Sequence, residues 1–157
     1  MEIPASVKEI GFDAFFKCTR LKNVVFTPES RLETIGLGSF SSTGIQKIVI
    51  PKSVTEIKEG AFYQCKELRE VVFEAGSQLE KIGSGCFQNS GLEEIMLPKT
   101  LKKINQYAFY HCKDLRIIYV EDGCDTVFLY TGMPDSTKVG LLPKITVCGV
   151  CAWDLRT

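Results

Sequence analysis

The sequence predicts an α/β solenoid with a short parallel β-sheet, one strand per coil of 22–25 residues, and short helical or 3-10 turns on the other side. Two observations predict it. A twenty-residue phrase recurs as VKEIGFDAFFKCTRLKNVVF from Val7, VTEIKEGAFYQCKELREVVF from Val54 and LKKINQYAFYHCKDLRIIYV from Leu101. Shorter versions lie between them, LETIGLGSFSSTGIQKIVI from Leu32 and LEKIGSGCFQNSGLEEIML from Leu79. A fixed period of this size is typical of stacked coils that share one continuous core.

The aromatic column of the repeat advances by alternate steps of 25 and 22 residues. Its members are Phe15, Phe40, Phe62, Phe87 and Phe109. The isoleucine five residues earlier advances by the same steps, as Ile10, Ile35, Ile57, Ile82 and Ile104. The repeating unit is therefore a pair of coils, one long and one short, of 47 residues, and five coils occupy residues 1–121.

Each coil ends in a segment of the form L-x-x-V-x-F, which predicts a strand with one buried face. Successive strands point the same way and should stack about 4.8 Å apart. Pro51 and Pro98 directly follow the strands of the short coils, where a missing N–H helps to end the ladder. The long coils add two residues in the linkers TPESR and EAGSQ. The A-F-x-x-C segment is too short for a long helix, so we expect a single helical or 3-10 turn there.

The phrase I-P-K-S-V-T-E-I-K-E-G-A-F-Y-Q-C-K-E-L resembles the leucine-rich repeat of BspA-like surface proteins, and the resemblance covers residues 3–121. It implies a leucine-rich repeat solenoid. It also implies a group of bacterial and protozoan surface proteins that are linked to adhesion to host or matrix proteins. It implies no catalytic residues.

The pattern weakens over residues 122–157, where we expect an irregular sixth coil or a C-terminal cap. LPKITV from Leu142 matches the strand pattern and predicts a sixth strand. Trp153 and Leu155 either cover the end of the core or begin a further coil. The first repeat starts without the polar cap that solenoids need, so we expect a fragment or a truncated gene product.

Charge argues against two classes of partner. The 19 basic and 19 acidic residues balance, whereas binding to nucleic acid or an anionic membrane surface favours a basic excess. No apolar run approaches the roughly 20 residues needed to cross a bilayer. The segment MEIPASVKEI lacks the features of a secretory signal. Either the protein stays inside the cell or this chain is part of a longer one.

Periodicity argues against disulfides for most of the seven cysteines. Cys18, Cys65 and Cys112 share one column, two coils apart, which places neighbouring thiols about 9.6 Å apart and beyond the reach of a bridge. With Cys86, they are interpreted as small buried residues with free thiols. Three more lie in the tail, where a disulfide from Cys124 to Cys148 or Cys151 is one possibility and partial burial is another.

No catalytic, metal or cofactor site is predicted. His111, the only histidine, stands at the variable position that Lys17 and Gln64 occupy in other coils, which indicates a surface residue. No paired-carboxylate motif, phosphate-binding loop or metal triad emerges. Glu93 and Glu94 lie on opposite sides of a strand and cannot converge.

Two columns of side chains point outward from the predicted sheet. The first, here called the apolar ridge, is Val25, Val49, Val72, Met96, Tyr119 and Thr146; the second, the mixed column, is Asn23, Lys47, Glu70, Glu94, Ile117 and Lys144. An exposed apolar column is typical of an interface, and methionine and tyrosine are enriched there. The alternatives are that valine simply suits a strand, or that a neighbouring domain covers the ridge.

The sequence therefore predicts a non-catalytic protein–protein interaction module. The resemblance adds a cell-surface or secreted adhesion role with host or extracellular matrix proteins as ligands. The alternative is an intracellular scaffold, which free thiols, the missing signal and the absence of an N-x-S/T sequon favour. An enzyme built on the solenoid is the third hypothesis, and no motif supports it.

Overall fold

Two stacks of short parallel strands form a solenoid of about six turns in the computed structural model, which describes residues 1–123, 127–128, 131–134 and 136–141. The first stack, the short-strand sheet, contains β2 (Glu9–Ile10), β4 (Thr34–Ile35), β6 (Glu56–Ile57), β8 (Lys81–Ile82), β10 (Lys103–Ile104) and β12 (Val127–Phe128). The second, the ridge-side stack, contains β1 (Glu2–Ile3), β3 (Val25–Phe26), β5 (Lys47–Ile50), β7 (Glu70–Phe73), β9 (Glu94–Leu97), β11 (Ile117–Val120) and β13 (Lys138–Leu141). Each coil thus contributes two strands rather than the one that the sequence predicted.

The Phe-containing segment is a series of β-turns, so the predicted helical or 3-10 turn is wrong: the described residues contain no helix. In the third coil, the N–H of Phe62 donates to the carbonyl of Cys86 at 2.8 Å, whereas the N–H of Tyr63 donates back to Gly60 at 2.9 Å. Alternate amides therefore bond to the next coil instead of along a helix. Gly60 and Gln64 have φ values of 60° and 56°, which a right-handed helix cannot contain.

The same left-handed positions recur in every coil. They are Asp13 and Lys17, Gly38 and Ser42, Gly85 and Asn89, and Tyr107 and His111. His111 is exposed there, as the sequence predicted, and its ring centroid lies 4.0 Å from that of Tyr110. The residue types in the column of His111 differ from coil to coil, but the left-handed backbone conformation is the same in all five coils. The column is therefore defined by its turn and not by a chemical role of the histidine.

The core is a stack of phenylalanine rings between the two strand columns. The rings of Phe15, Phe40, Phe62, Phe87 and Phe109 follow one another at centroid distances of 5.1, 5.5, 5.5 and 5.7 Å with nearly parallel planes. The last four are fully buried, and Phe15 is half-buried. The isoleucine column and the inward strand positions surround this stack, so the predicted core columns are confirmed.

Three of the four described cysteines are buried free thiols, as predicted, but Cys18 is exposed. Cys65 Sγ donates to the carbonyl of Phe40 at 3.0 Å and lies 3.3 Å from Thr43 Oγ1. Cys112 repeats this arrangement with Phe87 and Ser90 of the coil before it. The partners thus come from a preceding short coil, and Cys18 lies in the first coil of this sequence. Cys124, Cys148 and Cys151 lie outside the described residues.

Beyond the fifth coil, two strands continue the stacks. β12 pairs with β10, and β13 pairs with β11 in the register Ile117↔Lys138 to Val120↔Leu141. The sequence placed the sixth strand at LPKITV from Leu142, and those residues, like Trp153 and Leu155, lie outside the described residues. The strand that extends the ridge-side stack is therefore β13, which lies just before LPKITV.

Candidate functional site

The apolar ridge and the mixed column lie side by side on the outer face of the ridge-side stack. Val49 pairs with Val72 and Met96 with Tyr119, while Lys47 pairs with Glu70 and Glu94 with Ile117. Val25, Val49 and Met96 are 58%, 40% and 42% exposed. Val72, Tyr119 and Ile117 are half-buried, and Asn23, Lys47, Glu70 and Glu94 are exposed.

The continuation of both columns differs from the sequence prediction. Thr146 and Lys144 lie outside the described residues. Next to Tyr119 and Ile117 the structure places Gly140 and Lys138 instead. The apolar ridge therefore extends over five coils and ends at a glycine in the described part of the stack.

Strand pairing in this stack is interrupted at regular intervals. β1 pairs with β3, β5 with β7, and β9 with β11 and β13. Between β3 and β5 one bridge remains, Asn23↔Lys47. Between β7 and β9 the described residues form no strand pairing at all. Both interruptions fall where a long coil is followed by a short one.

Proline accounts for the position of the interruptions. The residue after each long-coil strand donates its N–H to the coil before: Thr27 to Ile3 at 3.1 Å, Glu74 to Ile50 at 3.1 Å and Glu121 to Leu97 at 3.2 Å. The corresponding residues of the short coils are Pro51 and Pro98, which have no N–H to donate. The sequence-based expectation that these prolines end the ladder therefore agrees with the structure.

Linker length and charge act at the same places. The two extra residues of the long coils lie in residues 27–31 and 74–78, directly after β3 and β7. In the mixed column, Lys47 Nζ pairs with Glu70 Oε1 at 2.8 Å across the intact β5–β7 ladder. Across the second interruption the column brings Glu70 next to Glu94, and like charges opposite one another destabilise strand pairing. In the described residues, the second interruption therefore lacks the bridge that the first one retains.

A cleft of about 390 Å³ opens at the second interruption. Its walls are the facing edges of β7 and β9 with the start of the long linker, and Pro98 and Tyr119 complete it. Phe73, which the sequence assigned to the core, is half-buried here, whereas its counterpart Leu97 is fully buried. The apolar residues Val72, Met96 and Tyr119 of the ridge line this cleft.

Four carboxylates surround the cleft, at Glu70, Glu74, Glu94 and Glu121. Glu74 Oε2 accepts a hydrogen bond from the N–H of Lys52, and Glu121 Oε2 accepts one from the N–H of Lys99, both at 2.9 Å. Glu74 and Glu121 are therefore each hydrogen-bonded to the backbone that follows the strand of the preceding short coil. Within the described residues, Glu70 and Glu94 of the mixed column accept no such backbone hydrogen bond.

Sequence reasoning identified Val72, Met96, Tyr119, Glu70 and Glu94 but did not find the cleft that they share. It also missed Glu74 and Glu121, which the linkers contribute. The available signal was the coincidence of a proline after the short-coil strand with two extra residues after the preceding long-coil strand. That coincidence occurs twice, at Pro51 and Pro98.

In the described part of the chain, no group of three or more His, Cys, Asp or Glu residues could hold a metal ion. No helix in those residues has the length and apolar character to span a membrane. Glu93 forms exposed ion pairs with Arg69 and Arg116 at 3.8 and 2.8 Å, separate from Glu94.

The sequence repeat matches one protein family. The family model described as the BspA type leucine rich repeat region matches residues 1–116 in six copies. The chain belongs to this family. The resemblance noted in the sequence is therefore confirmed. No curated protein matches the chain significantly.

Solved structures of leucine-rich repeat proteins share the solenoid. The Pneumococcal vaccine antigen PcpA superposes with a TM-score of 0.76 at 26% identity, over 89% of this chain and 40% of that one. The T. pallidum leucine rich repeat protein TpLRR gives 0.70 at 26% identity, over 89% and 72%. A leucine rich cell surface protein from Faecalibacterium prausnitzii gives 0.54 at 20% identity, over 88% and 56%, and this likeness shows the fold alone. The chain spans two fifths of PcpA.

Proposed function

We propose that this chain is the ligand-binding repeat module of a cell-surface or secreted adhesion protein and that the apolar ridge contacts a host or matrix protein. The observation that carries the proposal is the exposure of Val25, Val49 and Met96 in one column of a regular parallel stack. Contiguous exposed apolar surface marks interaction sites, and solenoids bind through such extended faces.

The surface location is supported by kinship. PcpA, which shares the solenoid at 26% identity, is described as a vaccine antigen. A vaccine antigen has to be reached by the immune system, and the proposal carries a cell-surface or secreted location to this chain. The role is proposed to be non-catalytic because His111, the only histidine, lies exposed in a turn column shared with Lys17 and Gln64.

The test charges the ridge. Val72→Glu combined with Met96→Lys keeps the net charge. Biosensor binding to a panel of immobilised extracellular matrix proteins should fall at least about tenfold, or about 1.4 kcal/mol, because two charged groups would have to be desolvated in an apolar contact. The matched control is Lys66→Glu with Asp114→Lys, an equally charge-neutral pair of exposed residues outside the strand face. Equal binding by wild type and the ridge variant, with an unchanged circular dichroism spectrum, would refute the proposal.

An intracellular scaffold is the second candidate function. It is favoured by the free thiols of Cys65, Cys86 and Cys112, because reducing compartments preserve free thiols. Protease treatment of intact cells that express the natural full-length protein separates the two roles. A surface module is removed by the protease, whereas a scaffold is retained until the cells are lysed.

A further inference from the structure

We infer that the cleft between β7 and β9 binds the cationic side chain of a lysine or arginine that an extended, otherwise apolar segment of the protein ligand presents. The inference rests on the proposed function and names the chemistry of the partner. It makes the second interruption, rather than the whole ridge, the position that selects the ligand.

The charge of the cleft is the first argument. Its lining carries four glutamates and no lysine or arginine. Glu74 and Glu121 each accept a backbone hydrogen bond, and Glu70 is paired with Lys47. Glu94 has no hydrogen-bond or ion-pair partner within the described residues, and it is exposed. An incoming ammonium or guanidinium group would therefore find one free carboxylate and three further negative charges around it.

The apolar walls supply the second argument. Val72, Met96 and Pro98 lie beside these carboxylates, and Tyr119, which pairs with Met96, also lines the cleft. Lysine and arginine bury their methylene stems against apolar surface while the charged end stays solvated. A tyrosine ring adds attraction for a cation that approaches its face. This combination of walls and rim fits a basic side chain better than a purely apolar one.

Size and continuity supply the third. About 390 Å³ lies within the range of roughly 300–1,000 Å³ that is typical of ligand pockets. The cleft is continuous with the ridge at Val72 and Met96, so apolar residues at alternate positions of the same ligand segment can lie on Val49 and Val25. An extended segment places alternate side chains on one face about 6.8 Å apart, so three of them span about the same length as four ridge strands at about 4.8 Å each.

The first interruption provides an internal contrast. At the positions of Glu70, Glu74 and Glu94 it carries Asn23, Thr27 and Lys47. It keeps the bridge Asn23↔Lys47 and offers a cation where the second interruption offers a carboxylate. A basic ligand group is therefore attracted to one interruption and repelled from the other, which also sets the direction of the ligand along the ridge.

The experiment uses the full chain and synthetic hexapeptides with blocked termini. The first has one lysine among five valines, the second has glutamate at that position, and the third has norleucine there. In 15N-edited NMR titrations, the lysine peptide should shift the amides of residues 70–75 and 94–97 and bind at least about tenfold more tightly than either other peptide. Raising the ionic strength from about 0.05 to 0.5 M should weaken it, because exposed charge pairs are screened.

Two variants of equal charge change complete the test. Glu94→Gln should reduce the affinity for the lysine peptide about tenfold. Glu29→Gln, which removes an exposed carboxylate from the linker of the first interruption, should leave it unchanged. The inference is overturned if the lysine peptide causes no shifts in the cleft, if the norleucine or glutamate peptide binds equally well, or if Glu94→Gln has no effect.

The outcome is separable from that of the proposed function. A matrix protein that loses binding to the variant with Val72→Glu and Met96→Lys but binds Glu94→Gln as it binds wild type would leave the ridge proposal standing and refute the cleft. A ligand that is insensitive to both would refute both.

Discussion

At the first passage from a long coil to a short one, Asn23 still bridges Lys47, whereas at the second, 47 residues later, Glu70 and Glu94 do not pair. Both passages have a proline after the short-coil strand and a linker with two extra residues before it. Proline and linker therefore decide where strand pairing in the ridge-side stack is interrupted. The outward side chains decide whether a bridge remains there, because they attract or repel one another across the interruption.

The core does not share this interruption. Phe15 stacks on Phe40 across the first passage at 5.1 Å, and Phe62 stacks on Phe87 across the second at 5.5 Å. The turn column also continues, since Phe62 N–H bonds to Cys86 O across the same coils where the strands do not pair. The opening is thus a property of one face. A solenoid can change its binding surface locally in this way while its nearest-neighbour packing is kept.

The largest expected effect tests whether the two passages have equal cores. Phe40→Ala and Phe87→Ala should each lower the free energy of unfolding by about 3–5 kcal/mol, because each removes a fully buried ring that stacks on both sides. Urea unfolding of both variants measures this. Similar losses are expected; a clearly smaller loss for Phe87→Ala would mean that the second passage is loosened through to the core.

An intermediate effect concerns the thiol column. Burial raises the pKa of Cys112 from 9.0 to about 11, against the lowering effect of its hydrogen bonds with Ser90. In the unfolded chain the thiol ionises from pH 9.0 upward while the folded thiol stays protonated. Stability from this group is therefore full below pH 9.0 and falls as the pH rises toward about 11, by up to about 1.4 kcal/mol per pH unit.

The measurement compares unfolding free energies from about pH 8, below the unfolded pKa of 9.0, to pH 11, near the folded pKa of Cys112. Cys112→Ala should show a shallower alkaline decline than wild type. Cys18→Ala is the matched control from the same column, and because Cys18 is exposed, its removal should leave the decline unchanged. Equal slopes in all three proteins would contradict the assignment of the effect to burial.

The smallest effect exchanges the charges of the two passages. Glu94→Lys places a cation beside Glu70 on the β9 side, where strand pairing is absent in the described residues. The free energy of unfolding should therefore rise by about 0.5 kcal/mol, the usual magnitude for half-exposed pairs. Lys47→Glu removes the pair of 2.8 Å with Glu70 and should lower stability by a similar amount. Thermal unfolding at low and high salt checks both signs, and changes that persist in high salt would indicate packing instead of charge.

Particular residues show how much of the structure could be predicted from the sequence. The ring stack, the inward strand positions and the buried thiols of Cys65 and Cys112 were predictable, because a residue type that recurs in register must meet its own copies in neighbouring coils. Pro51 and Pro98 indicated the ends of ladders for the same reason. The exposure of Cys18 was not predicted, because its burial depends on partners from another coil and not on its own position in the repeat.

The sequence alone determined that this protein is a parallel solenoid with a 47-residue unit, which residues form its core, and which two columns face outward. Tertiary structure decided that the Phe segment is a turn, since bonds such as Phe62 N–H to Cys86 O replace those of a helix. It also decided that β7 and β9 do not pair and that Glu70 and Glu94 line one cleft there with Met96 and Tyr119. Periodicity states what each coil contains; whether two adjacent coils pair depends on hydrogen bonds and charges between residues more than twenty positions apart, and those exist only once the coils are stacked.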